Sequence, residues 1–225
     1  MRRIAVSSIL TILIALAVPW RAVAGDNRLF IRPWVELEPL VRVDDGPYPI
    51  PLATAEGKLL EEGRVLFSGM IYGWTFTYIP GDRARQVAES FELAPVAEIP
   101  WGSRRLLVRE TEVADGKLWA RMSYTLDEDE SRRRSAWESN TAGLSTGRGK
   151  AAVTLGPGAK LASLKDAIRD AIRLSLDTRY LNKPRQITGQ VVLWDDPQTT
   201  VRAGVYATTA KVKLQVRELV PYRIF

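Results

Sequence analysis

The chain has no cysteine and no histidine in its 225 residues, and each absence removes a set of chemistries. Without cysteine there is no disulfide, no thiolate nucleophile, no zinc knuckle and no acylated cysteine to hold the chain at a membrane. Without histidine there is no Ser-His-Asp triad, no imidazole metal ligand and no near-neutral imidazole acid or base. Long apolar runs are scarce too. The uncharged stretch Ile4 to Val18 is shorter than the roughly 20 residues a membrane-spanning helix needs. A long basic tract is also missing, so no nucleic-acid partner is expected.

What is present begins with a leader. Met1-Arg2-Arg3 is cationic, Ile4 to Val18 is apolar, and Ala22-Val23-Ala24 has the small-x-small pattern that a signal peptidase reads. These features predict a cleavable signal over residues 1–24 and export, most simply to a bacterial periplasm. Three of the 32 basic residues and none of the 26 acidic ones lie in that leader, so the mature charge falls from +6 to +3. At 46% apolar and 26% charged, the chain as a whole has the composition of a folded protein. No transmembrane span is expected after cleavage.

Local patterns predict an α+β fold, mainly antiparallel sheet with one long amphipathic helix. Leu161, Leu164, Ile168, Ile172 and Leu176 recur at helical spacing with Ala167 and Ala171 beside them, which predicts a helix over about 161–181 opened by a capping box at Ser163. Leu106 to Val113 and Leu118 to Leu126 flank Asp115-Gly116 and predict a hairpin, with Leu118, Ala120, Met122, Tyr124 and Leu126 facing the core. Gln186 to Trp194 and Ala203 to Val220 read as two further strands around a turn at Asp195-Asp196-Pro197. Arg64 to Ile79 reads as a β segment, and Asp82 as the cap of a short helix from Arg83 to Phe91. The charged run from Asp127 to Asn140 reads as a solvated helix with acid-to-base pairs at i,i+4. Residues 141–160, with five glycines, read as a flexible connector. The expected unit is a single domain over 25–225, with division into two modules near that connector as the alternative.

Candidate functional residues follow from what chemistry remains. Gly-Leu-Ser-Thr-Gly-Arg-Gly-Lys invites a phosphate-loop reading, but Leu144 stands where glycine is needed and Ala151 where Ser or Thr is needed, so no nucleotide is expected. Glu110 with Glu112, and Asp195 with Asp196, are the carboxylate pairs that a histidine-free hydrolase would use. Aromatics at alternate positions from Tyr72 to Tyr78 form a stripe whose simplest role is core. Were that face open, Tyr72 and Trp74, with Trp119 and Arg121 on the hairpin, could stack and hydrogen-bond a sugar. Together these readings predict an exported, non-catalytic envelope or surface-structure protein that binds other envelope proteins, with no cofactor or metal. The alternative is a module that binds cell-wall glycan or peptidoglycan through Tyr72, Trp74, Trp119 and Arg121. A carboxylate hydrolase comes third.

Overall fold

A computed structural model describes residues 27–39, 41–42, 46–138, 142–180 and 183–222. The signal segment expected at 1–24 lies outside the described residues. Among them, three helices and ten strands form an α+β fold that is mostly β, with every strand pair antiparallel. No helix among the described residues is long and apolar enough to cross a membrane.

The first sheet is built on the predicted hairpin, β5 (Leu106–Ala114) with β6 (Lys117–Thr125). Asp115 and Gly116, at φ 54° and 68°, supply the turn that the Asp-Gly pair promised. Along its other edge β6 carries β1 (Arg28–Ile31) and then β2 (Trp34–Glu36). Pro33 falls between the two, where a missing N–H costs no ladder bond. Leu118, Ala120, Met122, Tyr124 and Leu126 are all buried, as their alternation required.

The second sheet has the order β4-β3-β8-β10-β7, with β9 on β10 as well. Its members are β3 (Trp74–Ile79), β4 (Ser90–Pro95), β7 (Gly143–Ala152), β8 (Gln186–Leu193), β9 (Gln198–Arg202) and β10 (Val205–Val220). β10 is long enough to pair with β9 over its first residues and with β8 over its last. Helix α3 (Ala159–Arg179) lies on this sheet, so the long helix is where its periodicity placed it. It starts earlier than the capping box suggested. Ser163 is buried and its hydroxyl donates to the Lys160 carbonyl instead of capping.

Helix α1 (Leu52–Ile71) corrects the β reading of Arg64 to Ile79, of which only Trp74–Ile79 is strand. Ala55, Leu59, Leu66 and Met70 are buried along one face at helical spacing. The helix packs against both sheets. A Cβ on Gly63 would meet Met122 of the first sheet at 2.5 Å, and one on Gly69 would meet Trp74 of the second at 2.2 Å. One continuous apolar core therefore includes Met122 and Tyr124, Phe67 and Ile71, Phe76 and Leu193, and Ile168 and Ile172. Gly73, at φ 66°, turns the chain from α1 into β3 beside the Val191 carbonyl.

Three other expectations need correction. Asp82 does accept N–H bonds from Ala84 and Arg85, at 3.0 and 3.2 Å, but no helix follows. The chain closes a turn through an Asp82–Val87 bridge and enters β4. The glycine-rich segment is not a flexible connector, because 143–152 is strand β7 at the heart of a helix–sheet contact. The charged run does form helix α2 (Glu128–Ala136) with a complete Asp127–Glu130 capping box, yet two of its charges point inward. Glu130 is 3% exposed. Arg134 donates to the Met70, Leu193 and Trp194 carbonyls at 2.7–3.1 Å, its guanidinium 4.0 Å from the Trp194 ring centre.

Candidate functional site

Where β2 of the first sheet meets the β9–β10 hairpin of the second, the structure leaves a cavity of about 590 Å³. That volume is in the range of small-ligand sites, about 300–1,000 Å³. Helix α1 forms one wall, the first turn of α3 and the preceding 3-10 turn (Val153–Gly158) another, and Pro39, Val41, Tyr48 and Ile50 from the segment after β2 a third. Most lining side chains are aliphatic or aromatic, among them Val65, Leu66, Leu161, Leu164, Val201 and Tyr206.

Thr54, Lys58 and Glu61 line the cavity from exposed positions on α1, whereas its less exposed polar groups are bonded within the fold. Glu62 on α1 and Lys160 on α3 form an ion pair, with Nζ 2.7 and 2.9 Å from the two carboxylate oxygens and side chains 23% and 19% exposed. Lys160 Nζ also donates to the Trp34 carbonyl at 2.6 Å and lies 4.1 Å from the Trp34 ring centre. Burial pushes the Glu62 carboxyl up and the Lys160 ammonium down, and each charge opposes the shift of the other. Tyr206 donates its hydroxyl to Glu36 at 2.9 Å, and Trp34 Nε1 donates to the Thr199 carbonyl at 3.2 Å. The latter bond joins the two sheets, as does the Arg32 amide donating to Asp196 at 2.9 Å.

Asp196 is the titratable group here with a shifted midpoint in the accessible pH range. Burial, with help from the neighbouring Glu62 and Asp195 charges, lifts its carboxyl from about 3.8 to about 6, against the opposing Arg32 amide and Lys160. The native state then holds a proton that the unfolded chain releases. The stability from this group is complete below about pH 4 and is lost as pH rises through 6, about 3 kcal/mol in all. Asp196→Asn should therefore gain on the wild type as pH rises from 4 to 7, measured as the difference between their urea-unfolding free energies. A difference that stays constant with pH would remove Asp196 as the cause.

Gly57 lines the cavity in the body of α1, and a Cβ placed there meets nothing within 4 Å. A glycine within a helix costs about 1 kcal/mol relative to alanine. Here that cost keeps volume open. Gly57→Ala should accordingly stabilise the fold by up to about 1 kcal/mol in thermal or urea unfolding. A loss of stability would mean that the position is packed.

A family model for proteins of uncharacterised function matches residues 21–222, a span that contains every element lining the cavity. The chain belongs to that family. It is also similar to an uncharacterized protein of Treponema pallidum (strain Nichols), 25% identical over 209 residues that cover 90% of this chain and 85% of the relative. No solved structure matches.

The residues singled out from the sequence of this family member do not converge on one surface. Trp74 is 7% exposed and packs over Gly69. Tyr72 is half-buried and donates its hydroxyl to Glu130 at 2.6 Å. Arg121 is exposed on β6 and pairs with Glu110 at 3.3 Å. Trp119 is half-buried, directly across the ladder from Trp34 with ring centres 5.9 Å apart, and the Arg32 guanidinium sits 5.0 Å from its own ring. Of the four, Trp119 is the one whose ring packs, tilted by 46°, against a residue of the cavity wall. Glu112 pairs with Arg32 at 3.2 Å beside the exposed Glu110, whereas Asp195 is exposed and Asp196 turns inward. Among the described residues no cluster of acids could hold a metal ion. Sequence reasoning missed Trp34, Glu36, Glu62 and Lys160. Glu62 sat in a helix it had not assigned, and Lys160 ended a stretch read as a connector.

Proposed function

We propose that this family member is an exported, non-catalytic protein of the cell envelope that acts by binding, and that the cavity is where it binds. The observation that carries the reading is the pairing of a mainly apolar cavity of about 590 Å³ with half-buried wall charges, Glu62, Lys160 and Glu36, that are already bonded within the fold. Such a site offers shape and apolar area instead of a poised reactive group. It moves the expected binding from an open protein surface to a pocket for a small ligand, or for an equally slender part of an envelope partner. The leader over residues 1–24 supports the location.

The test has two parts. Residues 1–24 fused to alkaline phosphatase, which is active only after export, should give an active, processed enzyme, whereas an inactive fusion would overturn the location. The chain should also bind the apolar fluorophore 1-N-phenylnaphthylamine saturably at one site per chain. An absence of saturable binding would overturn the assignment of the cavity.

A further inference from the structure

We infer that the cavity takes a single linear acyl chain, tail first, with its polar head left at the mouth; this rests on the binding reading above. The polar atoms of the wall define what can enter. Lys160 is held by Glu62 and the Trp34 carbonyl, Tyr206 by Glu36, and Trp34 Nε1 by Thr199. Beyond the exposed Thr54, Lys58 and Glu61, a sugar or peptide backbone, with its several donors and acceptors, would have to break one of these pairs for each it satisfied. A methylene chain asks for none.

The aromatic wall argues the same way. Glycan recognition needs an open ring face, yet Lys160 and Lys117 lie 4.1 and 4.2 Å from the Trp34 ring centre and occupy the ground a sugar would use. What remains toward the space is aliphatic, from Val65 and Leu66 on α1 to Leu161 and Leu164 on α3, with Val41 and Ile50 opposite. Gly57 adds length, since its missing side chain leaves open a place on the α1 wall.

The inference is tested by displacement of 1-N-phenylnaphthylamine from the chain purified without detergent, below micelle-forming concentrations. The competitors are octanoate, dodecanoate and hexadecanoate, then dodecanol, a single-chain lysophosphatidylcholine and an N-acetylglucosamine oligosaccharide. Affinity should rise about fourfold for each added methylene until the chain fills the cavity, and then level off. Dodecanoate and dodecanol should agree within a few-fold, and the oligosaccharide should not compete. The stronger of hexadecanoate and lysophosphatidylcholine identifies free fatty acid or phospholipid as the source.

Gly57→Phe, and independently Leu161→Trp, should weaken dodecanoate at least tenfold while the melting midpoint is kept. An affinity indifferent to chain length, or unchanged in both folded variants, overturns the inference. Native mass spectrometry of the purified chain separates the two levels of failure. A bound mass that is not acylated, lost in Gly57→Phe, would overturn the acyl chain and leave the binding cavity standing. No bound mass together with no displacement would overturn both.

Discussion

Glu130→Ala should destabilise the protein by about 3 kcal/mol, read from urea unfolding at neutral pH. The carboxylate is buried and accepts from five donors. Tyr72 and Tyr124 hydroxyls reach it at 2.6 and 3.0 Å, Arg105 at 2.5 and 3.2 Å, and the Asp127 amide at 3.0 Å. These donors come from the end of α1, from β6, from the residue preceding β5 and from the start of α2, so one side chain ties four parts of the chain together. Removing it orphans the buried Tyr124 hydroxyl and the half-buried Tyr72 hydroxyl, leaves Arg105 with Asp127 as its remaining partner at 2.8 Å, and breaks half of the capping box. Loss of one partner from a buried charge pair costs about 3–5 kcal/mol, and the lower end applies because the Arg105 side chain is 37% exposed. Burial and the Glu130 contact also push the Tyr72 hydroxyl up to about 12, which keeps it a donor through the neutral range. Glu130→Gln, which keeps the shape and one acceptor, should cost roughly half as much. Glu128→Ala, on the exposed side of the same helix, should cost less than about 0.5 kcal/mol. Equal losses at 128 and 130 would mean that the helix, not the buried network, is what matters.

That contrast shows how far the sequence could be read. The helix at Glu128–Ala136 was legible because its signal, the i,i+4 charge order, is local in origin, although the capping box that opens it was not read. Which charges turned inward depended on Tyr72 and Arg105, distant in sequence and unrelated by any period. The hairpin at Asp115-Gly116 and helix α3 were legible for the same reason, since turn geometry and amphipathic spacing are written within a dozen residues. Helix α1 was hidden by its own composition. Gly57, Gly63 and Gly69 lower its intrinsic propensity, and Arg64 to Ile79 is apolar enough to resemble a strand. Tertiary packing overrides both, because two of those glycines let the sheets approach the helix and the third faces the cavity. The cavity itself was illegible. It is made where β2, α1, α3 and the β9–β10 hairpin meet, and its Glu62–Lys160 pair spans nearly 100 residues of chain.

Gly147→Ala and Gly149→Ala should each cost about 3 kcal/mol or more, at or beyond the upper end of ordinary overpacking. Both glycines lie in β7 beneath the small-residue stripe of α3 formed by Ser163, Ala167 and Ala171. A Cβ at 147 would stand 2.2 Å from the Ala167 carbonyl oxygen and 2.3 Å from the Ala171 nitrogen. One at 149 would stand 2.1 Å from the Ser163 carbonyl oxygen and 2.2 Å from the Ala167 nitrogen. Every one of these neighbours is backbone, so no rotamer relieves the clash and the helix must lift away. Lifting it would also stretch the bonds from the Arg148 and Lys150 amides to Asp170 and Asp166, each 3.0 Å, and the 2.7 Å bond from Ser145 to the Ala171 carbonyl. Gly143→Ala is the control on the same strand. Its Cβ would meet only the Arg179 guanidinium among its three nearest atoms, the end of a flexible side chain, so it should cost less than about 1 kcal/mol. Thermal unfolding of the three variants tests the ranking, and equal losses would place the cost in strand propensity instead of the helix contact. Because α3 carries Lys160, Leu161 and Leu164 into the cavity wall, its displacement by Ala at 147 or 149 should also weaken binding of the apolar fluorophore, while Gly143→Ala leaves it unchanged. The glycines that resembled a phosphate loop would then contribute to binding at a distance, by letting a helix lie directly on a strand.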